Sequence, residues 1–265
     1  MTTCVVIPHL SNRAGLAKAV QSVGDYPCFV VDGSKGGAPR VTEKESLVDL
    51  WGSKVSLPKG SSGNSFAISA NIGLSAAHLA GYSRALLLND DAILEPGALL
   101  ELERVFTSSD DVGAVGPLLY CKSGLESAGL CFSSRTARAV QRGDIPKQVE
   151  ERVALSGACL LISTTERFDE SFDHGFEDYE LCIRIAKQGK RILIAPDARA
   201  FHEGGGTVSR RSRRAVAGAL SGHLKLVRGR PLMQALVVSY AALQLLREGG
   251  GADALMGFCD GITEQ

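Results

Sequence analysis

Two adjacent aspartates follow an apolar run near residue 90. The sequence reads LLLNDDAILE from Leu86 to Glu95, so the acidic pair comes directly after a segment with the composition of a buried strand. Carboxylate oxygens bind hard cations such as Mg²⁺ or Mn²⁺ and accept hydrogen bonds from ligand hydroxyls. An aspartate before ILEPGALL is also typical of a helix N-cap. A ligand site and a structural cap are both open at this point.

A second acidic group lies in the stretch FDESFDHGFEDYELCIR, which holds six carboxylates between Asp169 and Glu180. Glu177 and Asp178 begin a predicted helix, where the macrodipole favours negative charge and gives a sufficient structural reason for them. The preceding SFDHGF combines aromatic residues with glycine, as in a loop that covers a pocket. A carboxylate in that setting can serve as a general base.

Two further segments contain residue types found in ligand sites. His202 follows PDARAF and precedes three glycines, and imidazole is a common metal ligand, although a single histidine is more often structural. The segment GSSGNSFAISANIG, from Gly60 to Gly73, offers backbone N–H groups before a predicted helix. It is not a P-loop, and the first predicted strand does not lead into G-x-G-x-x-G.

Strand and helix patterns alternate over the first part of the chain. Strands are predicted at 4–8, 28–31, 55–57, 84–88 and 112–119, and helices at 14–23, 41–50, 66–81 and 96–106. This order predicts an α/β fold, with a mostly parallel sheet and helices on both faces. In such sheets ligands bind at the carboxyl ends of the strands. Asp32-Gly33-Ser34 and Asn89-Asp90-Asp91 both occupy such ends, so we expect them to share one site.

The second half of the chain is less regular. A hairpin and loops are predicted for Tyr120 to Arg152. Strands are predicted at 158–162 and at 192–195, the latter ending at Pro196, and helices at 177–188, 215–228 and 232–247.

Composition and charge exclude several classes of protein. The 265 residues suffice for one large domain, or one domain with an extension, and 29 basic residues balance 29 acidic ones. That balance gives no overall attraction to nucleic acid or anionic membrane. The seven cysteines form no C-x-x-C pair and mostly lie in apolar runs. We expect them to be reduced, in a cytoplasmic protein. MTTCVVIPHL lacks the regions of a signal peptide, and no apolar run reaches the ~20 residues of a spanning helix.

The order of the motifs is more specific than any one of them. From about Cys4 to Thr207 the sequence resembles the inverting GT-A glycosyltransferases of family 2, and most closely the rhamnosyltransferase-like branch. The motifs that carry the resemblance are VVIPHLSN, VVDGSKG, GNSFAISANIG, LNDD, SGACLLIS, FDESFDHGFEDYELCIR and PDARAFH, with the late LMGFCDGI resembling a tail of that branch.

The resemblance implies a GT-A catalytic domain over 1–207 and a C-terminal helical extension over 208–265 packed on it. It also implies a role for individual residues. Asp178 would be the general base, and Asp91 and His202 would bind a divalent metal, Mn²⁺ or Mg²⁺. The implied donor-binding residues are Pro8 and Asp32 at the base, Asn71 beside base and ribose, Asp90 at the ribose, and Ser156 and Gly157 where donor sugar and acceptor meet.

The function implied is metal-dependent, inverting transfer of a hexosyl or deoxyhexosyl group. The donor would be a UDP- or dTDP-sugar, and the acceptor a hydroxyl of a glycan or glycoconjugate. Two alternatives are a nucleotide-sugar-binding protein without catalysis and a transferase with a non-glycan acceptor such as a protein, a metabolite or a modified nucleic acid base. A scaffold or membrane-docking protein, with the acidic motifs as helix caps, is a third.

The sequence departs from the family pattern at Gly33, Gly63, Ser65 and Glu180. Glu180 stands where aspartate is frequent, after the predicted base. The basic run SRRSRR, from Ser209 to Arg214, suits a solvated loop, an anionic membrane, nucleic acid or the donor diphosphate. LMQALVVSYAALQLL is too short and too polar to span a membrane. We expect it to pack on the domain or to form a homodimer, rather than to bind peripherally at a membrane.

Overall fold

A computed structural model of the chain describes residues 2–9, 12–33, 40–43, 65–133, 138–141, 143–172, 175–203, 213–248 and 251–263. The strands are β1 Thr3–His9, β2 Cys28–Asp32, β3 Arg40–Glu43, β4 Arg84–Leu88, β5 Ala92–Leu94, β6 Val112–Cys121, β7 Gly124–Ser127, β8 Leu130–Ser133, β9 Arg138–Gln141, β10 Glu150–Glu151, β11 Cys159–Ser163 and β12 Arg191–His202. The helices are α1 Arg13–Ser22, α2 Phe66–Leu79, α3 Ala98–Phe106, α4 Glu177–Lys187, α5 Arg213–Leu226, α6 Pro231–Glu248 and α7 Ala252–Thr263.

The main sheet has the order β10-β12-β6-β11-β4-β1-β2-β3, and β5 and β7 pair with β12 and β6. Parallel pairing joins β2 to β1, β1 to β4, and β6 to β12. β11 runs antiparallel to both β4 and β6. Five of the six central strands therefore point the same way, and the predicted mostly parallel α/β sheet is confirmed.

Alternating side chains of the central strands pack on opposite faces of the sheet. Val6 and Leu87 pack with α2 and α4, whereas Val5 and Leu86 pack with α1 and α3. All five residues of β4 are buried, as expected of a strand covered by helices on both sides. The apolar run before the two aspartates is thus a central strand, and the predicted helices on both faces are confirmed.

Two sequence-based assignments were wrong. Arg40–Glu43 forms β3, which pairs antiparallel with β2, where a helix over 41–50 had been predicted; residues 44–50 lie outside the described residues, as does the strand predicted at 55–57. Pro196 does not end a strand, because β12 continues from Arg191 to His202. The pairing with β6 shifts register between Ala195 and Arg199, and such an irregularity accommodates a proline without an N–H to donate.

The C-terminal helices pack closely through glycines. An ideal Cβ at Gly257 would lie 2.3 Å from the carbonyl oxygen of Arg213, and one at Gly261 would lie 2.8 Å from that of Ala217. The two glycines of α7 therefore allow it to touch the backbone of α5. Among the helices that the structure describes, none is both long enough and apolar enough to cross a lipid bilayer.

One face of α6 is apolar and exposed. Its large exposed side chains recur at helical spacing, so they share one side of the helix: Leu232, Leu236, Tyr240, Leu243 and Leu246. The opposite side packs on α5 and α7 through Val237 and its neighbours. The exposed face of α6 is thus as apolar as a helix face that is buried in a protein.

Candidate active site

The turn after β4 presents Asp90 and Asp91 at the carboxyl edge of the sheet. The N–H of Asn89 donates to the carbonyl oxygen of Ala158, and the N–H of Glu203 donates to the carbonyl oxygen of Asp91, each over 3.0 Å. Both aspartate side chains are buried. The turn is therefore fixed between the beginning of β11 and the end of β12.

His9, the last residue of β1, contacts Asp90. Its Nδ1 lies 2.7 Å from Oδ2 of Asp90, and both side chains are buried. His9 was not among the site residues predicted from the sequence. Its position after Pro8, at the carboxyl end of a predicted strand, was the signal that could have found it.

Asp91 and His202 meet because β5 pairs with the end of β12. That pairing places His202 opposite Ala92, and Nε2 of His202 lies 3.1 Å from Oδ1 of Asp91. On the other side of the ring, Nδ1 of His202 lies 2.8 Å from Oε2 of Glu126. Glu126 belongs to β7 and was not recognised in the sequence.

The two carboxylates change the proton affinity of the imidazole between them. Burial lowers the pKa of His202, but the hydrogen bonds and charges of Asp91 and Glu126 outweigh it and raise the pKa to about 10. The site therefore favours a positive charge between these carboxylates.

The donor set suits a cation that is shared with a ligand. Asp91 and His202 offer one oxygen and one nitrogen, and within the described part of the chain no cluster of three His, Cys, Asp or Glu side chains could hold a metal. Mg²⁺ commonly takes few protein ligands and completes its shell with substrate phosphates. The pair fits a cation bound together with a diphosphate, and does not form an all-protein metal site.

Asp178 lies at the beginning of α4, beside the loop that precedes β11. Its Oδ2 accepts from the N–H of Gly157 over 2.8 Å, and its Oδ1 accepts from the N–H of Tyr179 over 2.7 Å. Burial raises the pKa of Asp178, and the backbone N–H groups oppose that shift. The carboxylate is thus oriented by the backbone and remains more basic than an exposed aspartate.

Small residues form the contact between that loop and α4. An ideal Cβ at Gly157 would lie 3.3 Å from Cβ of Asp178 and 3.4 Å from the ring of Phe66. Ser156 Oγ accepts from the N–H of Ala158 over 3.3 Å. There is little space for a side chain at position 157. Because Gly157 has no Cβ, the carboxylate of Asp178 can approach its backbone N–H.

Phe176 holds the entrance to α4 in an unusual conformation. It is the N-cap of the helix and has φ 72°, in the left-handed region that a bulky residue rarely adopts. Its ring packs on that of His223 in α5, with centroids 3.9 Å apart. Helix α5 therefore contacts the residue two positions before Asp178.

Asn71 uses its amide group to hold the loop before α4. Its Nδ2 donates to the carbonyl oxygen of Phe168 over 3.0 Å and to Oε1 of Glu170 over 2.9 Å, and its Oδ1 accepts from the N–H of Phe168 over 2.7 Å. The side chain is buried in α2. These contacts position residues 168–170, and the contact of Asn71 with a nucleotide stays a prediction.

Pro8 and Asp32 lie at the same edge of the sheet. In the parallel pair of β1 and β2, Pro8 is opposite Val31 and His9 is opposite Asp32. The N–H of Gly33 donates to the carbonyl oxygen of His9 over 2.8 Å. Both predicted base-binding residues thus neighbour His9, which contacts Asp90.

Apart from Asn71 in α2, the predicted site residues fall into two groups. Asp90, Asp91 and His202 form the first group, with Pro8 and Asp32 beside it. Ser156, Gly157 and Asp178 form the second, and the bond from Asn89 to Ala158 links them. The arrangement can hold a cation and an anionic ligand beside a basic carboxylate.

Most of the basic run lies outside the described residues, namely 209–212. Arg213 begins α5, and its guanidinium bonds both carboxylate oxygens of Asp260 in α7. This arginine therefore joins two C-terminal helices.

The described residues form a mixed α/β fold with a central, mostly parallel sheet and flanking helices. A profile described as "Glycosyltransferase like family 2" matches residues 50–225. The chain belongs to this family. No curated protein sequence matches it significantly.

Many solved structures resemble the chain, and two of them illustrate the range of similarity. The first is the crystal structure of GalNAc-T7 with UDP, GalNAc and Mn²⁺, with TM-score 0.58 and 16% identity; the alignment covers 99% of this chain and 56% of that one. The chain thus spans little more than half of that relative, and the likeness confirms a fold similar to GT-A. The second is A197 from STIV, with TM-score 0.44 and 14% identity, covering 76% of this chain and 85% of that one.

Proposed function

We propose that the chain is a metal-dependent, inverting glycosyltransferase that moves a sugar from a nucleoside-diphosphate sugar to an acceptor hydroxyl of a glycan or glycoconjugate. One observation carries the proposal. The hydrogen bond from Asn89 to Ala158 joins the turn of Asp90 and Asp91 to the loop whose Gly157 binds Asp178. The turn that carries Asp91 and the loop that holds Asp178 therefore border two adjacent strands, β4 and β11.

On the donor side, Asp91 and His202 would hold a divalent cation, Mn²⁺ or Mg²⁺. When bound, that cation would stabilise the negative charge that develops on the departing diphosphate. Asp90, whose carboxylate His9 holds at 2.7 Å, accepts from a ribose hydroxyl. Pro8 and Asp32 lie next to His9 and contact the base. Asn71, in α2, lies beside the base and the ribose.

On the acceptor side, Asp178 removes the proton of the attacking hydroxyl. The hydroxyl oxygen forms a bond with the anomeric carbon from the face opposite the diphosphate. The bond from that carbon to the diphosphate oxygen breaks, and its electron pair leaves with the nucleoside diphosphate. One displacement inverts the configuration, so a single base suffices. Ser156 and Gly157 lie where sugar and acceptor meet.

The donor is a UDP- or dTDP-sugar, and a deoxyhexose such as rhamnose fits the branch that the motifs resemble. GalNAc-T7 was crystallised with UDP and Mn²⁺, and we take this ligand pair as the first to test. We assign residues 1–207 to a catalytic domain and 208–265 to a helical extension. We also propose a cytoplasmic location, which the sequence pattern of the seven cysteines favours.

We further propose that the apolar face of α6 joins two copies of the chain. Arg247 is the one charged residue among the described side chains of this helix, 231–247. Homodimer interfaces have such charge-depleted cores, whereas helices that lie on membranes carry many Lys and Arg residues.

Release of nucleoside diphosphate from a panel of nucleotide sugars tests the function. The protein is incubated with Mn²⁺, one UDP- or dTDP-sugar and a mixture of glycan acceptors. We expect release that stops with EDTA and falls about 10²–10⁴-fold in Asp178→Asn, while UDP binding persists. Asp197→Asn, at an exposed position of β12, is the matched control. Full turnover of Asp178→Asn contradicts the assignment of the base.

The same assay separates the alternatives. A nucleotide-sugar-binding protein without catalysis would bind UDP and Mn²⁺ but release no diphosphate with any acceptor. If nucleoside diphosphate is released with a protein, a metabolite or a modified base as acceptor, and not with glycans, the acceptor belongs to that other class.

A further inference from the structure

Glu126 is connected to the proposed cation site through His202. Its Oε2 lies 2.8 Å from Nδ1 of His202, and Nε2 of the same ring lies 3.1 Å from Oδ1 of Asp91. The exposed fractions of the three side chains are 19%, 15% and 9% for Glu126, His202 and Asp91. Strand β7, strand β12 and the turn after β4 thus bring three polar side chains together, and all three are largely shielded from solvent.

A β-bulge directs Glu126 toward that ring. In the hairpin of β6 and β7, Leu119 pairs with Ser127 and Tyr120 pairs with Leu125. One step along β6 therefore corresponds to two along β7, and Glu126 is the extra residue. Bulges turn a side chain away from the direction that a regular ladder would give it. Here the side chain turns to His202 in β12, the neighbour of β6.

The distance between Asp91 and His202 suits two ligands of one ion. Ligands at about 2.1 Å from an octahedral cation, and at right angles, lie about 3 Å apart. Nε2 and Oδ1 are 3.1 Å apart. A histidine that binds a metal through one nitrogen usually donates its other N–H to a carboxylate or carbonyl, which fixes the tautomer and the ring orientation. Glu126 is placed to accept that N–H.

We propose that Glu126 is a positioning residue for a divalent cation. It accepts from Nδ1 of His202, and it thereby holds Nε2 toward the ion that Asp91 also binds. The inference rests on the proposed function, since that function supplies the cation. It adds a carboxylate that does not itself touch the ion.

Mn²⁺ binding tests the proposal without an activity assay. Free Mn²⁺ is titrated with protein in the presence of UDP, and its EPR signal gives the affinity. We expect Glu126→Ala to weaken Mn²⁺ binding about 10–100-fold. Glu126→Gln, which keeps an oxygen acceptor, should lose less. Nitrogen hyperfine coupling from the imidazole should also be weaker in Glu126→Ala than in the wild-type protein.

Glu103→Ala is the matched control, because Glu103 also accepts a side-chain hydrogen bond, from Tyr26 over 2.6 Å, on α3. It should bind Mn²⁺ as the wild-type protein does. If a folded Glu126→Ala protein binds Mn²⁺ with wild-type affinity while Asp91→Asn does not bind it, the role of Glu126 is overturned and the cation site stands. If neither the wild-type protein nor any variant binds Mn²⁺, the proposed cation site and the role of Glu126 both fail.

Discussion

The carboxylates around Asp178 have different partners. Asp178 accepts from two backbone N–H groups, whereas Glu180 accepts from Nε of Arg184 over 3.1 Å. Arg184 also donates to the carbonyl oxygen of Arg167. Glu180 thus belongs to an ion pair that connects α4 to the preceding loop, and this explains why glutamate can replace the aspartate frequent at that position.

The basicity of Asp178 predicts the pH dependence of transfer. Burial raises its pKa, and the proposed base would work only when it is ionised. Activity should therefore fall as the pH decreases through this raised pKa, which lies above the value of about 3.9 for an exposed aspartate. The acid limb of kcat/KM against pH, measured where the protein remains folded, gives the value. An acid limb at or below that ordinary value would argue against Asp178 as the base.

Asn71 is predicted to contribute to stability. Asn71→Ala leaves the buried N–H and carbonyl of Phe168 without their partner, and each unsatisfied group costs about 1–3 kcal/mol. Urea unfolding should show the loss. Ser75→Ala in the same helix, whose hydroxyl only donates to the carbonyl oxygen of Asn71, should change stability by less than about 1 kcal/mol. Equal stability of the two variants would contradict the structural role.

The sequence was sufficient to predict some residues of the candidate site, but not the side chains that contact them. Asp90, Asp91 and Asp178 follow apolar runs or begin a helix, so their positions were readable from hydrophobic pattern. His9 and Glu126 were missed because their partners lie 81 and 76 residues away in sequence. Such contacts depend on strand order and register, which local patterns do not specify.

Among the elements, α5 supports the beginning of α4. Gly222 of α5 faces Phe176, and an ideal Cβ there would lie 2.7 Å from Cδ2 of Phe176 and 3.1 Å from the carbonyl oxygen of Gly175. The ring of His223, also in α5, packs on the ring of Phe176, with centroids 3.9 Å apart. The left-handed turn at Phe176 is therefore stabilised by a helix from the C-terminal part of the chain.

This contact predicts an effect of α5 on catalysis. Gly222→Ala should push Phe176 away and displace Asp178, because only Glu177 separates them. A displacement near 1 Å can cost about 10²-fold in rate. We expect kcat to fall while UDP affinity remains, as measured by single-turnover kinetics and calorimetry. Gly143→Ala is the control, because no atom of a described residue lies within 4 Å of the added Cβ. Unchanged kcat in a folded Gly222→Ala protein would show that α5 does not position the base.

Strands and helices of the first half were predictable where apolar periodicity was strong, as in β1, β4 and α2. The helix predicted at 41–50 failed at Arg40–Glu43 because these residues pair with β2, and tertiary pairing outweighs weak propensity. The predicted strand at 192–195 was shorter than β12 because the prediction ended it at Pro196. A bulge lets the strand pass Pro196, and the sequence contains no sign of that bulge.

For the whole molecule, the exposed face of α6 predicts a dimer. Leu236→Glu with Leu243→Glu should shift the protein to monomer, because two buried charges would face each other across a two-fold interface. Sedimentation equilibrium measures the mass. Leu79→Glu in α2, at a leucine that is 83% exposed, should leave the dimer intact. If the wild-type protein is monomeric and sediments with lipid vesicles, the apolar face of α6 binds a membrane and not a second copy of the chain.

Four buried cysteines are distributed over the central part of the molecule: Cys4 in β1, Cys28 in β2, Cys159 in β11 and Cys182 in α4. Burial raises the pKa of Cys4 and of Cys182 to about 12, and only thiolate reacts rapidly with alkylating reagents. Each thiol should therefore be labelled only when its own element opens. Mass spectrometry of timed alkylation would give the order in which β1, β2, β11 and α4 separate, without any introduced probe.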